Sequence, residues 1–244
     1  MAEAHRTDSD PDDAALLALL TAIASPGRGG IAQRLESSPG LVTRPVRSGA
    51  TRRNPEQYFL TAIHHHVYAG DTALHIAAAA HRRGTAELLV GRGADVRARN
   101  RRGAEPLHYA ADGRPGATSW DPVAQRDVIT YLCEAGADAN ALDKSGVAPL
   151  HRAVRTRSAE GVVALILNGA DPRLMNRSGS TPLHLAVQST GKSNSGSDAA
   201  KAEQARIIAT LLEHGARPGD TDASGKTVAA AASSEWIRDL LATR

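Results

Sequence analysis

The residues best suited to chemistry in this sequence are three consecutive histidines, His64-His65-His66. Neutral imidazoles bind transition metals, and histidine also moves protons near neutral pH. Consecutive residues of a helix point about 100° apart, however, so the triplet does not direct three rings at one ion. We therefore predict a structural or solvent-exposed role for these histidines and no metal site.

A second motif is similar to a phosphate-binding loop. Residues 186–193 read Ala-Val-Gln-Ser-Thr-Gly-Lys-Ser, with Ala in place of the first Gly of that pattern. Phosphate binding needs a strand before the loop and a helix whose N-terminus meets the phosphates. Here the segment follows a short helix and continues into a Ser- and Gly-rich insertion, so we expect no nucleotide binding.

The single cysteine, Cys133, is predicted to be an inert core residue because it lies on the apolar face of a helix. One cysteine excludes an internal disulfide and a sulfur-based zinc knuckle, and it fits a reducing, cytoplasmic compartment. The sequence contains no G-x-S-x-G elbow, no H-E-x-x-H and no G-x-G-x-x-G after a strand. We therefore predict no catalytic residue, no cofactor and no enzymatic activity.

The composition favours helices. The 244 residues are 41% hydrophobic but include only one Phe, four Tyr and two Trp, so Leu, Val, Ile and Ala must form the core. Ala-rich sequences favour helices, whereas strands favour aromatic and β-branched residues. No run approaches the roughly 20 apolar residues that span a bilayer. The acidic segment before residues 14–24 has the wrong charge for a secretory signal, and no membrane partner is expected.

An internal repeat organises most of the chain. Each unit contains a Leu-His pair, and its leucines recur after 33, 43 and 33 residues, at Leu74, Leu107, Leu150 and Leu183. A Gly-Ala pair follows in every unit, beginning at Gly93, Gly136, Gly169 and Gly215. The intervals between the two markers place insertions of ten and thirteen residues in the second and fourth units, between a first and a second helix.

Each unit reads as a pair of helices. Pro in the first turn of the first helix removes no hydrogen bond there, and the small residues that follow let neighbouring helices approach closely. The second helix is amphipathic, and Gly ends it where positive φ is required. The Asn or Asp and Gly residues of the next segment, as in residues 143–146, predict a tight turn.

These units resemble the ankyrin-repeat family. The family pattern G-x-T-P-L-H, a run of small residues and L-L-x-x-G-A-D-x-N is nearly intact in residues 179–186 and 132–140. The resemblance covers residues 68–242 and implies an all-α, ankyrin-type helical repeat solenoid with hairpin-like fingers. Capping units included, about six units are expected. Glu105 and Ala148 replace the Thr of the pattern, so its usual hydrogen bond is not expected in those two units.

The unit boundaries follow from the two markers. We predict a disordered N-terminus at 1–11, a degenerate capping repeat with an inserted helix at 12–69, repeats at 70–102, 103–145, 146–178 and 179–224, and a C-terminal capping repeat at 225–244. In the first cap, residues 12–24 and 29–37 read as a helix pair with a polar outer face. The inserted helix is predicted to start at Asn54-Pro55-Glu56-Gln57 and to end near residue 65, in place of the first finger.

The resemblance also implies roles for particular residues. In the family, the histidine of the Leu-His pair hydrogen-bonds within the backbone scaffold, which here concerns His75, His108, His151 and His184. Partners of the family usually contact the concave face, formed by the finger tips and the first helices. Carried over by position, the partner-binding residues are Arg99, Arg101, Arg102, Ala104, Lys144, Ser145, Val147, Arg155, Arg177, Ser178, Ser180 and Gln188.

Charge on this face indicates the kind of partner. The chain has a net charge of +3, and four cations lie within six residues, at Arg97, Arg99, Arg101 and Arg102. The last finger instead carries Asp220 and Asp222. A basic stretch attracts acidic partners and speeds encounter, unless it is only a solvated surface. The sequence therefore predicts a non-enzymatic scaffold that binds an acidic segment of another protein.

Two other functions stay open at this stage. The same arginines could bind nucleic acid or another polyanion, which predicts a steep dependence on salt. The low net charge and the lack of a groove-reading module make nucleic acid the weaker hypothesis. The third hypothesis is a component of an enzyme or toxin-antidote system whose active partner is encoded elsewhere.

The insertions, at residues 112–121 and 190–202, also leave two interpretations open. The first insertion contains Trp120. Trp usually buries most of its area, which favours a hydrophobic plug over the adjacent helices, but an inserted loop with a Trp also suits a recognition element.

Overall fold

The chain forms a stack of short helix pairs joined by extended fingers. The computed structural model describes residues 11–25, 27, 30–117, 119–188 and 196–242. Its α-helices are α1 (Pro11–Ala24), α2 (Ile31–Ser37), α3 (Ala73–Ala79), α4 (Arg83–Val90), α5 (Pro106–Ala110), α6 (Pro122–Glu134), α7 (Pro149–Arg155), α8 (Ala159–Leu167), α9 (Pro182–Ala186), α10 (Asp198–Glu213), α11 (Val228–Ala231) and α12 (Glu235–Ala242). The two short strands are β1 (Phe59–Leu60) and β2 (His65–His66).

The helices form two layers. The first helices of successive units pack on one another in the order α1, α3, α5, α7, α9 and α11, and the second helices α4, α6, α8 and α10 form the other layer. Between the layers lies one continuous core of Leu, Ile, Val and Ala side chains. The predicted all-α repeat solenoid is confirmed, and each repeat contacts mainly its neighbours.

The fingers are the connections at residues 46–71, 95–105, 138–148, 171–181 and 217–227. Neighbouring tips are joined through the backbone, as in the bond from Arg101 N–H to the Ala69 carbonyl, 2.8 Å, and from Lys144 N–H to the Arg102 carbonyl, 2.9 Å. A Gly lies at these contacts because there is no space for a side chain. A Cβ on Gly146, which has φ +69°, would lie 2.7 Å from the backbone nitrogen of Arg177.

The histidines of the repeat have the predicted scaffold role. Nδ1 of His75 accepts the backbone N–H of Thr72 at 3.1 Å, so the ring proton lies on Nε2, which donates to the carbonyl of Ala104 in the next finger at 3.1 Å. The other three histidines repeat this pair of bonds, and their Nε2 acceptors are the carbonyls of Val147, Ser180 and Lys226. Each ring therefore joins one unit to the next.

The first cap contains the predicted helix pair, α1 and α2, but not the predicted inserted helix. Residues 54–65 instead form two 3-10 turns, Glu56–Tyr58 and Thr61–Ile63, around the β1–β2 hairpin. The prediction was wrong because backbone pairing between distant residues returns the chain on itself: Val46 N–H bonds the Asp71 carbonyl and Ala50 N–H bonds the Val67 carbonyl. Residues 46–71 are thus an elongated first finger.

The insertions lie between a first and a second helix, as predicted. The first forms the loop before α6, and the end of the second extends α10 at its N-terminus. Residues 189–195, with most of the phosphate-loop-like motif, lie outside the described residues. So does the predicted disordered N-terminus, except for Pro11, which begins α1.

Candidate functional site

A basic groove lies between the second and third fingers. It encloses about 440 Å³ and is lined by Arg101, Arg102, Asp143, Lys144, Ser145, Val147, Arg152 and Arg155. Six of these residues are among the twelve that the resemblance placed on the partner-binding face. The exposed cations of the groove are two arginines from the second finger, a lysine from the third finger and an arginine at the end of α7.

Neighbouring groups hold two of these cations in place. The Arg102 guanidinium lies 4.0 Å from the centre of the Tyr68 ring, and that of Arg101 lies 5.5 Å from it. Arg101 also donates through Nη2 to the Ala50 carbonyl at 2.6 Å. Both side chains remain exposed. Their positive charge is therefore presented on side chains that have already lost much of their rotamer freedom.

The acidic residue of the groove, Asp143, does not cancel this charge. Burial alone would raise the pKa of its carboxyl, but hydrogen bonds from the N–H groups of Val147 and Ser145 and from the Arg152 guanidinium lower the pKa overall. The carboxylate is therefore ionised at neutral pH and is already paired with the buried guanidinium. The exposed cations determine the charge that a ligand meets.

Arg152 is the centre of a polar network under the groove. Its side chain is only 10% exposed, and it pairs with Asp112 at 3.0 Å and with Asp143 at 3.4 Å. The guanidinium also lies 5.7 Å from the centre of the Tyr109 ring, whose hydroxyl donates to Asp71 at 3.0 Å. Burial and the neighbouring Asp71 carboxylate raise the pKa of Tyr109 well above its usual value. Side chains from three units thus meet in one buried network.

Sequence reasoning missed this network, although a signal was present. The residue after each repeat histidine is Ile76 in the first unit and Leu185 in the fourth, but Tyr109 in the second and Arg152 in the third. Two large polar residues at a position that otherwise holds aliphatic ones indicate polar partners inside the stack.

The other six predicted residues lie outside the basic groove. Ala104 was wrong as a contact residue because its side chain is fully buried at 0% exposure. Arg99 pairs with Glu105 at 3.0 Å, in one of the units that lack the usual Thr. The remaining four lie on the third and fourth units and do not line the groove: Arg177, Ser178, Ser180 and Gln188.

The acidic residues of the last finger are engaged within the protein. Asp220 pairs with Arg173 at 2.7 Å and accepts the N–H of Arg217. Asp222 accepts N–H groups of its own turn from Ser224 and Lys226. These carboxylates stabilise the finger.

The histidine triplet and Cys133 do not line the basic groove. The ring of His65 contacts Tyr109, with centres 4.5 Å apart, whereas the rings of His64 and His66 both lie beside Phe59, at 5.9 and 4.7 Å. Burial raises the pKa of the Cys133 thiol to about 11, so it is protonated at neutral pH. Within the described ranges no three His, Cys, Asp or Glu side chains form a metal-binding group.

Comparison with known protein families agrees with this geometry. A model described as ankyrin repeat matches residues 69–101 and 178–223, and a model described as ankyrin repeats in many copies matches residues 132–186. The chain belongs to the ankyrin-repeat family. No curated protein matches it significantly. Ankyrin repeats generally mediate protein-protein interaction and are typically non-enzymatic. Over the residues with described structure, no helix has the length and apolarity to cross a membrane.

Proposed function

We propose that this ankyrin-repeat protein is a non-enzymatic scaffold that binds an acidic segment of a partner protein in the basic groove. The observation that carries the proposal is the grouping of four exposed cations, Arg101, Arg102, Lys144 and Arg155, around one groove whose single lining carboxylate, Asp143, is paired with Arg152. Complementary charge of this kind speeds encounter and favours acidic partners over basic ones.

The shape of the groove favours an extended peptide. The walls come from two fingers whose backbones are bonded to each other, so the groove is formed before the partner arrives. Val147 is half-buried there and offers an apolar contact between the charged groups. A short Asp- or Glu-rich segment with one apolar side chain fits this combination.

The test uses fluorescence anisotropy with three labelled peptides of equal length, rich in Glu, in Lys, or in Gly and Ser. We expect saturable binding of the Glu-rich peptide alone. The double variant Lys144→Glu, Arg155→Glu should weaken it by at least about tenfold at low salt, since neither residue stacks on Tyr68. The control is Arg83→Glu, Arg126→Glu, which changes the net charge equally on α4 and α6 of the outer layer and should leave affinity within about twofold.

An oligonucleotide with as many negative charges as the Glu-rich peptide distinguishes nucleic-acid binding from binding of an acidic protein segment. Tighter binding of this oligonucleotide than of the Glu-rich peptide, with a steep salt slope, would show nucleic-acid binding and overturn the proposal. Equal effects of the two double variants would also overturn it, because the groove would then have no special role.

A further inference from the structure

A second cavity lies where the two irregular segments of the N-terminal half meet. It has a volume of about 470 Å³, and its walls are the hairpin of the first finger, the C-terminal ends of α1, α3 and α5, and the first insertion. We call it the hairpin pocket. Its lining includes His64 and His65 from the histidine triplet and Trp120 from the insertion, two features of the sequence that the basic groove does not use.

Hydrogen bonds tie the described residues of the insertion, 112–117 and 119–121, to the neighbouring helices. The Trp120 indole N–H donates to Oε1 of Gln125 at 3.1 Å, and the same oxygen accepts the Ser158 hydroxyl at 2.7 Å. At the other end of the loop, Gly113 N–H donates to the Thr156 hydroxyl at 3.1 Å. A Cβ on Gly113 would lie 2.7 Å from Cβ of Ser158, so the loop packs as closely as the chain allows.

Polar atoms around the hairpin pocket lack partners. Nε2 of His65 and Nε of Arg82 are buried, and neither has a hydrogen bond within the described part of the chain. Buried polar groups in proteins are almost always paired, so two unpaired nitrogens around one cavity call for a ligand. His81 differs, because its ring lies against the carbonyls of Ala110 and Asp112 in the next unit.

The buried imidazoles of His65 and His81 are neutral at physiological pH. Burial lowers the pKa of His65 to about 4, against the opposing effect of Asp71. Burial also lowers the pKa of His81 to about 4, although the carbonyls of Ala110 and Asp112 act in the opposite direction. Each ring can therefore offer one donor and one acceptor without adding charge.

The charged groups that line the pocket favour a ligand with a single negative charge. The Asp112 carboxylate is paired with Arg152, which leaves the guanidinium groups of Arg82 and Arg114 without a carboxylate partner among the lining residues. Arg82 donates to the Ser25 carbonyl, so its head is held near the end of α1. The remaining wall is formed mostly by small and apolar side chains, Ala24, Ala62, Ile63, Ala79 and Ala80.

We infer that the hairpin pocket binds a small organic monoanion, a carboxylate on an aromatic or alicyclic body. The volume lies within the range of about 300–1,000 Å³ typical of small-molecule sites. The carboxylate faces Arg82 and Arg114, the body lies against the alanines and Trp120, and the imidazoles pair with polar substituents. This site is separate from the basic groove and does not depend on its function.

The test is calorimetric titration with three probes that share one body and differ in charge: 3-phenylpropionate, 3-phenylpropionamide and 3-phenylpropylamine. We expect the carboxylate to bind with a Kd of about 1 mM or tighter, and the amide at least about fivefold more weakly. The amine should not bind. Arg114→Gln should weaken carboxylate binding about fivefold and leave the amide unchanged, whereas the control Arg126→Gln should affect neither.

A second variant tests the cavity itself. Ala80→Leu fills the pocket and should abolish binding of the carboxylate, whereas Ala32→Leu on the exposed side of α2 should not. The inference is overturned if no probe binds saturably, if Arg114→Gln leaves carboxylate affinity unchanged, or if the three probes bind equally. Since Arg114 is exposed, its variant gives a result even if Ala80→Leu does not fold.

Discussion

The regular units and the first-finger region treat similar side chains differently. In the third unit, His151 and Arg157 both donate to carbonyls of the following unit. In the first unit His75 does the same, but His65 of the first finger has an unpaired buried Nε2 beside the hairpin pocket. In the regular units these polar side chains find hydrogen-bond acceptors in the next repeat. The hairpin and the insertion have no equivalent in the next repeat, so polar atoms beside them stay unpaired and a cavity is left between the segments.

The largest effect is expected at the residue between the two regions. Arg152→Ala removes the guanidinium that pairs with Asp112, beside the hairpin pocket, and with Asp143, in the basic groove. Two partly buried carboxylates lose their cation, so the free energy of unfolding should fall by about 3 kcal/mol. Urea denaturation measures this loss, and Arg155→Ala, one turn away and exposed, is the matched control. A loss below that of the control would show that the network is dispensable.

A repeat histidine should matter nearly as much. His108→Ala removes the buried bond to the Glu105 N–H and the partly buried bond to the Val147 carbonyl, so the free energy of unfolding should fall by about 2 kcal/mol. His64→Ala, at an exposed residue of the hairpin, should change it by less than about 0.5 kcal/mol. Equal losses in the two variants would contradict the distinction between scaffold and hairpin histidines.

Acid should destabilise the protein. Burial lowers the pKa of His65, His81 and His108 to about 4, below the value of 6.5 for an unfolded chain. The unfolded state therefore binds more protons between these values, and stability falls as pH drops from 6.5 towards 4. We expect a loss on the order of 1 kcal/mol per histidine by pH 5, measured as a lower urea midpoint. The stability of His108→Ala should depend less on pH than that of the wild type, and the difference measures the contribution of this histidine.

The smallest changes in stability are expected at two turns whose backbone is in the left-handed region. His81 has φ 51° and Arg157 has φ 60°, a region in which Gly is unstrained. His81→Gly relieves this backbone strain, which offsets the loss of the imidazole contacts, so the free energy of unfolding should change by less than about 1 kcal/mol. Arg157→Gly loses three bonds to carbonyls and should destabilise by about 1 kcal/mol more. The difference in melting temperature between the two variants measures this contrast.

The features that could be predicted from the sequence are those that recur in every repeat. The Leu-His and Gly-Ala markers located four units and both insertions because each unit must bury the same face against its neighbours. The elongated first finger was not predicted, since the bonds of Val46 to Asp71 and Ala50 to Val67 join residues far apart in the chain. The hairpin pocket could not be predicted for the same reason, because His65 and Trp120 are far apart in the sequence and come together only through packing.

The histidine bonds show how the stack accepts added chain. The four repeat histidines reach their acceptor carbonyls across 29, 39, 29 and 42 residues, yet the bonds measure 3.1, 3.0, 3.2 and 3.2 Å. Loop-closure entropy grows slowly with length, so ten or thirteen extra residues between a first and a second helix add little strain. A foreign loop grafted at the equivalent turn of the third unit should therefore leave that unit beside its neighbours, provided that the bonds of Thr156 and Arg157 are kept.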